Sequence, residues 1–100
     1  METGRFKTMR EAKSYLQSRR PPVIGDRNVI YIGDDITITI SHVDIVGTKS
    51  LQAMLIKAGR GQSLKSSIVV RYTGGTAEVS GVDKAWDALK KKILNHMWIR

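Results

Sequence analysis

The chain has 100 residues, 41% of them hydrophobic, which is typical of one globular domain and argues against a disordered segment. Seventeen Lys and Arg residues against nine Asp and Glu residues give a formal net charge of +8, which favours a polyanionic partner. The absence of cysteine excludes disulfides and cysteine-based metal sites, and no apolar run reaches the roughly 18 to 20 residues of a membrane-spanning helix. We therefore expect a single basic domain over residues 1–100, without membrane association, in the cytoplasm or, in a eukaryote, in the nucleus.

The first helix is predicted to begin at Met9. Thr8 and Glu11 have the spacing of a capping box, in which both side chains bind free backbone amides of the first helical turn. A proline pair follows and cannot continue a helix, so we expect the helix to end near Arg19–Arg20. One face of this helix carries Met9, Ala12, Tyr15 and Leu16.

A β-hairpin is predicted next, from two β-branched runs at residues 28–32 and 36–41. The sequence Gly33-Asp34-Asp35 between the two runs is a typical turn. The second run alternates strictly, so its isoleucines should face the core and its hydroxyl residues the other side of the sheet. The isoleucines are Ile36, Ile38 and Ile40, and the hydroxyl residues are Thr37, Thr39 and Ser41.

A second helix is predicted after this hairpin, with Thr48 or Ser50 as its cap and with Gly59 and Gly61 at its end. Its apolar residues follow the spacing of one helix face, and they are Leu51, Met54, Leu55 and Ala58.

A second hairpin and a final helix complete the prediction. Ser66–Tyr72 and Thr76–Ser80 are the strands, with a turn at residues 73–75. The final helix should begin near Ser80–Asp83. Its apolar stripe consists of Val82, Ala85, Trp86, Leu89, Ile93 and Met97.

The predicted order is α-β-β-α-β-β-α. We expect an α+β fold in which the two hairpins form a four-stranded antiparallel sheet and the helices pack on one of its faces. Equivalent features lie 40 residues apart, as at Thr8 and Thr48. This spacing indicates an internal repeat in which the pattern of elements recurs but few residues are identical.

The distribution of charge suggests the function. Residues 48–72 contain five basic residues and no acidic residue. Positive charge held in separate blocks is typical of nucleic-acid binding, so we predict a non-enzymatic domain that neutralises phosphates. No base-reading motif distinguishes DNA from RNA. The alternative is a protein-interaction or assembly subunit that forms a homo-oligomer through a β edge or through the helix end with Trp86 and Trp98.

The segment between Lys57 and Lys65 is the main candidate for phosphate contacts. Its glycines, including Gly61, let the backbone approach an anion closely, and Arg60 adds a third positive charge. The same glycines are also explained as the end of a helix with a basic last turn. Both readings stay open at the sequence level.

Tyr31 and Arg71 are the second part of the candidate site. They occupy equivalent positions in the two hairpins and are out of phase with the residues expected in the core. We therefore expect both on the open side of the sheet, where a base could stack on the tyrosine ring. An ordinary cross-strand packing role for Tyr31 is the alternative.

Between Leu55 and Ile93, the predicted order of helix, glycine-containing basic loop, strand, turn, strand and helix resembles the K-homology RNA-binding domain. The step Val79-Ser80-Gly81 into the last helix is part of this resemblance. The family's loop has glycines three residues apart, whereas Gly59 and Gly61 are two apart.

The sequence predicts no catalytic residue, metal or cofactor. His42 precedes Asp44 by two residues but is accompanied by no nucleophile motif. His96 falls within the apolar stripe of the final helix, where we expect a partly buried packing residue. The acidic pair at residues 34–35 is explained by the turn.

Overall fold

The computed structural model describes residues 2–59, 61–73 and 78–98. Within these residues the chain forms an α+β fold in the order β-α-β-β-β-β-α. The strands are β1 (Glu2–Phe6), β2 (Arg27–Ile32), β3 (Ile36–Ile45), β4 (Thr48–Gly59) and β5 (Gln62–Thr73), and the helices are α1 (Met9–Ser18) and α2 (Glu78–Trp98). The predicted fold class is confirmed, whereas the number and order of the elements differ.

The five strands form one mixed sheet in the order β1-β2-β3-β4-β5. β1 and β2 are parallel because α1 connects them, and the other neighbouring strands are antiparallel. The predicted sheet had four antiparallel strands and lacked β1, which is only five residues long and contains Gly4. A Cβ atom at Gly4 would lie 2.9 Å from the Phe6 ring, so a larger residue here would require that ring to shift.

Both helices pack on the same face of the sheet, as predicted. The buried side chains of α1 and α2 form one cluster with alternate residues of β2, β3, β4 and β5. The largest fully buried members are Leu16, Ile30, Ile38, Ile40, Leu51, Leu89 and Ile93. Neither helix in the described part of the chain combines the length and the apolar character needed to cross a bilayer.

The N-terminus of α1 confirms the predicted capping residues. The Thr8 hydroxyl accepts a hydrogen bond from the backbone N–H of Glu11 at 3.3 Å. The Glu11 carboxylate in turn accepts from the backbone N–H of Lys7 at 3.2 Å, one residue earlier than in a standard capping box. The helix ends at Ser18, next to the predicted position.

The predicted second helix is wrong, because residues 48–59 form strand β4. Its buried apolar residues are Leu51, Ala53 and Leu55, which alternate as in a strand. Leu51 and Leu55 are four residues apart and fit both periods. β3 and β5 pair with β4 on either side, and these two sets of backbone hydrogen bonds override the helical spacing. Gly59 therefore does not cap a helix.

The second predicted hairpin is also wrong. β5 pairs with β4 instead of with a strand at residues 76–80. Residues 74–77 lie outside the described part, and Glu78–Ser80 belong to α2, which begins earlier than predicted. From Leu55 onward the described elements are strand, turn, strand and helix, without a leading helix, so the K-homology resemblance does not hold. The 40-residue repeat fails as well, since Thr8 caps a helix and Thr48 begins a strand.

The turn between β3 and β4 contains Val46 with φ of 51° and Gly47 with φ of 78°. Positive φ at both central residues is what a type I′ hairpin turn requires, and Asn-Gly is the preferred pair for it. A β-branched side chain in this region is strained by steric contact with its own backbone. Val46 is 99% exposed, so packing does not compensate for this strain.

The substitution Val46→Asn is expected to increase the free energy of unfolding by about 1 kcal/mol, because asparagine tolerates positive φ. Urea denaturation should show a higher midpoint with an unchanged m-value. Val23→Asn is the matched control, since Val23 is 65% exposed and does not have a positive φ. Equal midpoints for Val46→Asn and the wild type would contradict the assigned strain.

Candidate functional site

The face of the sheet opposite the helices is called the open face here. It is formed by alternate residues of the five strands, and cross-strand register arranges them in rows. Its members are Thr3, Arg5, Arg27, Val29, Tyr31, Thr37, Thr39, Ser41, Val43, Ser50, Gln52, Met54, Ile56, Lys65, Ser67, Val69 and Arg71. The prediction that Tyr31, Thr37, Thr39 and Arg71 share this face is confirmed.

The charged residues of the open face are four cations at its margins. Arg5 and Lys65 end one row that runs across all five strands, roughly 19 Å apart at a strand spacing of about 4.8 Å. Arg27 lies on β2 and Arg71 on β5, in the rows toward the other end of the strands. All four side chains are exposed.

None of the residues that form the open face is acidic. Asp34 and Asp35 border it, in the turn between β2 and β3. Within the part of the chain that the structure describes, none of the four cations has an ion-pair partner. Their positive charge is therefore not locally neutralised.

The centre of the open face is uncharged. Val29, Thr39, Met54 and Ser67 are successive partners in one central row, and Ser41 is paired with Gln52 in the next. Met54 and Val69 are each 40% exposed. A shallow concavity of about 370 Å³ lies over this region, and Arg27 is the charged residue in its lining. The centre thus offers apolar contacts and neutral hydrogen-bonding groups, surrounded by cations.

Tyr31 lies beside Arg5 on the open face. The guanidinium carbon of Arg5 is 4.4 Å from the centroid of the Tyr31 ring, within the range of a cation–π interaction. The parallel pairing of β1 with β2 places the two residues side by side. Tyr31 is half-buried and Arg5 is exposed, so the arginine forms the outer layer of this pair.

The predicted glycine loop is the turn between β4 and β5. Lys57 and Lys65, which the sequence placed in one cluster, lie on opposite faces of the sheet, because Lys57 shares the face of Leu55. Gly61 has φ of +71°, so its conformation explains the glycine without a ligand. Arg60 lies outside the described residues. Of the predicted site, the open face brings together Tyr31, Lys65 and Arg71.

Sequence reasoning missed Arg5 and Arg27. Arg27 could have been found from the sequence, because it lies two residues before Val29 and four before Tyr31, and alternate residues of a strand share one face. Arg5 could not, since its place depends on the parallel pairing of β1, which leaves no periodic signal in five residues.

His42 is buried at the packed side of β3, with 4% of its surface exposed. Its Nδ1 lies 2.7 Å from the carbonyl oxygen of Pro22, so Nδ1 carries a proton and donates it. Nε2 is hydrogen-bonded to the Tyr72 hydroxyl. Both ring nitrogens have hydrogen-bond partners, and the residue ties the segment before β2 to β5.

The substitution Tyr72→Phe should lower the free energy of unfolding by about 1 to 3 kcal/mol, because Nε2 of His42 would be buried without this hydrogen-bond partner. Chemical denaturation measures this change. Tyr31→Phe is the control, as its hydroxyl makes no hydrogen bond to the described residues, and it should change stability by less than about 0.5 kcal/mol. Equal losses in the two variants would show that the His42 contact is not stabilising.

His96 is exposed on α2, so its predicted burial in the apolar stripe is wrong. Lys90 on the same helix forms an ion pair with Asp87 at 3.3 Å. Among the described residues, no three His, Asp or Glu side chains are close enough to hold a metal ion.

Comparison of the chain with protein-family models, curated proteins and solved structures gives no match.

Proposed function

We propose that this chain is a non-enzymatic nucleic-acid-binding domain that contacts the phosphates of DNA or RNA with Arg5, Arg27, Lys65 and Arg71. The observation that carries the proposal is the segregation of charge, since the open face has four exposed cations and no acidic residue. A polyanion is the ligand that such a surface attracts, and each neutralised phosphate releases bound counterions.

The identity of the cations also favours phosphate as the ligand group. Three of the four are arginines, whose planar guanidinium can donate two hydrogen bonds to one phosphate. They lie on strands of a sheet whose other face is packed by both helices, so their positions are fixed by the fold. A linear polyanion could contact cations on both sides of the face at once.

The helical layer is a weaker candidate for the same ligand. α2 carries the exposed cations Lys84, Lys91 and Lys92, but Asp83 and Asp87 are exposed on the same helix. Mixed signs at short spacing reduce the net field that a phosphate experiences. The open face lacks this internal compensation.

The triple change Arg27→Gln, Lys65→Gln and Arg71→Gln should therefore weaken nucleic-acid binding strongly. If each cation contacts one phosphate, the plot of log affinity against log salt should flatten by roughly 2 to 3 units. Fluorescence anisotropy at several salt concentrations measures both quantities.

The matched control removes three exposed charges from α2 by Lys84→Gln, Lys91→Gln and Lys92→Gln. Both variants have the same net charge, so a difference between them reports on location. We expect the α2 variant to bind nearly as tightly as the wild type. Equal losses would mean diffuse attraction to the whole protein, and salt-independent binding would remove phosphate neutralisation as the mechanism.

Assembly into a homo-oligomer is the second candidate, and the sheet edge is the feature that favours it. β5 ends the described sheet and is hydrogen-bonded there to β4 on one side, leaving an edge of 12 residues. Leu64 on this strand is 70% exposed. Lys65 and Arg71 are charged edge residues of the kind that oppose edge-to-edge pairing. Trp86 is 3% exposed and buried in the core, so it does not provide the predicted aromatic contact.

A further inference from the structure

We infer that the ligand is a single strand whose bases face the centre of the open face while its phosphates contact the marginal cations. This inference rests on the proposed function and specifies its substrate class. It depends on the division of the open face into an uncharged centre and a charged margin.

The centre matches the chemistry of bases better than that of phosphates. Met54 and Val69 present apolar surface, and the neighbouring Thr39, Ser41 and Gln52 present hydrogen-bonding groups. Unpaired bases have flat apolar faces and polar edges, whereas a phosphate in this position would lose water without gaining a cation. A surface built only for phosphates would be charged throughout.

A duplex offers this face fewer base contacts than a single strand does. Its base edges are exposed only in grooves, and the major groove is about 8.5 Å deep. In the described residues, the β4 and β5 strands extend by two paired residues each beyond the pairing of Ile36 with Lys57, a distance of about 7 Å. At the other end β3, β4 and β5 finish together, and three strands are wider than the two-stranded ribbon that a groove admits. A duplex would therefore present mainly phosphates to the uncharged centre.

The pair formed by Arg5 and Tyr31 is the assigned stacking platform. Bases stack on aromatic rings and on guanidinium planes, and here the guanidinium already lies over the ring. The pair belongs to the row that ends at Lys65, so a base stacked on it would lie at the edge of the uncharged centre. Arg5 thus has two roles, since its guanidinium plane stacks on a base and its charge attracts phosphate.

Three probes of equal length test this arrangement, namely a single strand, an abasic strand with the same phosphates, and a duplex. At about 0.15 M salt the single strand should bind most tightly. The abasic strand should show the same salt slope but weaker binding at every salt concentration, because it lacks only the base contacts. DNA and RNA versions of the single strand show whether the ribose hydroxyl contributes.

Two charge-conserving variants locate the base contact. Arg5→Lys keeps the charge but removes the plane, so it should weaken binding of the base-containing strand by roughly 5- to 150-fold, the range for loss of one stacked base. The abasic strand should lose much less affinity, because it has no base to stack and the positive charge is kept. Arg27→Lys is the matched control, since Arg27 has no described aromatic ring beneath it, and any loss of its phosphate hydrogen bonds should weaken the base-containing and abasic strands equally.

The outcomes separate the two proposals. Abasic and base-containing strands of equal affinity, or a duplex that binds at least as tightly as the single strand, would overturn the inference and leave phosphate binding intact. If Arg5→Lys and Arg27→Lys change the affinities of the two strands in the same way, Arg5 and Tyr31 do not form a stacking platform. If none of the probes shows salt-dependent binding, the proposed function itself is wrong.

Discussion

One-sided packing of the sheet is the constraint on which the rest of this structure depends. Both helices cover the same face, so every second residue of each strand must remain compatible with water. The covered side has the apolar residues that this arrangement demands, from Ile30 on β2 to Ile68 on β5. The other side is free to vary, and in this chain it concentrates positive charge. The candidate site is thus a consequence of where the helices pack.

The crossover through α1 determines how wide that surface is. Because α1 returns the chain to the side of β2, β1 joins the sheet in parallel and adds a fifth strand. Contacts on the covered side hold it there, as the Phe6 and Tyr15 rings lie 4.9 Å apart between strand and helix. Without β1, the open face would lose Arg5, and the Tyr31 ring would lose its neighbouring cation. A local helix–strand contact therefore shapes the opposite side of the sheet.

The sequence predicted those parts of the fold in which one periodicity dominates. The capping residues of α1, the alternation through Ile36, Ile38 and Ile40, and the buried stripe of α2 are all local patterns that tertiary contacts did not alter. The segment 48–59 was misassigned because Leu51 and Leu55 satisfy both periods and the decision lies in pairing with distant strands. For the site, alternation alone placed Tyr31 and Arg71 on one face. Lys57 was misplaced because proximity in sequence does not determine the face of a strand.

The cations on β5 also bear on how the sheet finds its register. This strand contains three serines, and its alternation of apolar and polar residues is weak near the turn, so apolar burial alone specifies its alignment poorly. A slip of one residue against β4 would turn Arg71 toward the helices, where Val70 and Tyr72 are half-buried, and an uncompensated charge is costly there. The Arg71 side chain therefore selects the native alignment by excluding the alternative one. This position has a folding role that is independent of the binding role proposed for it.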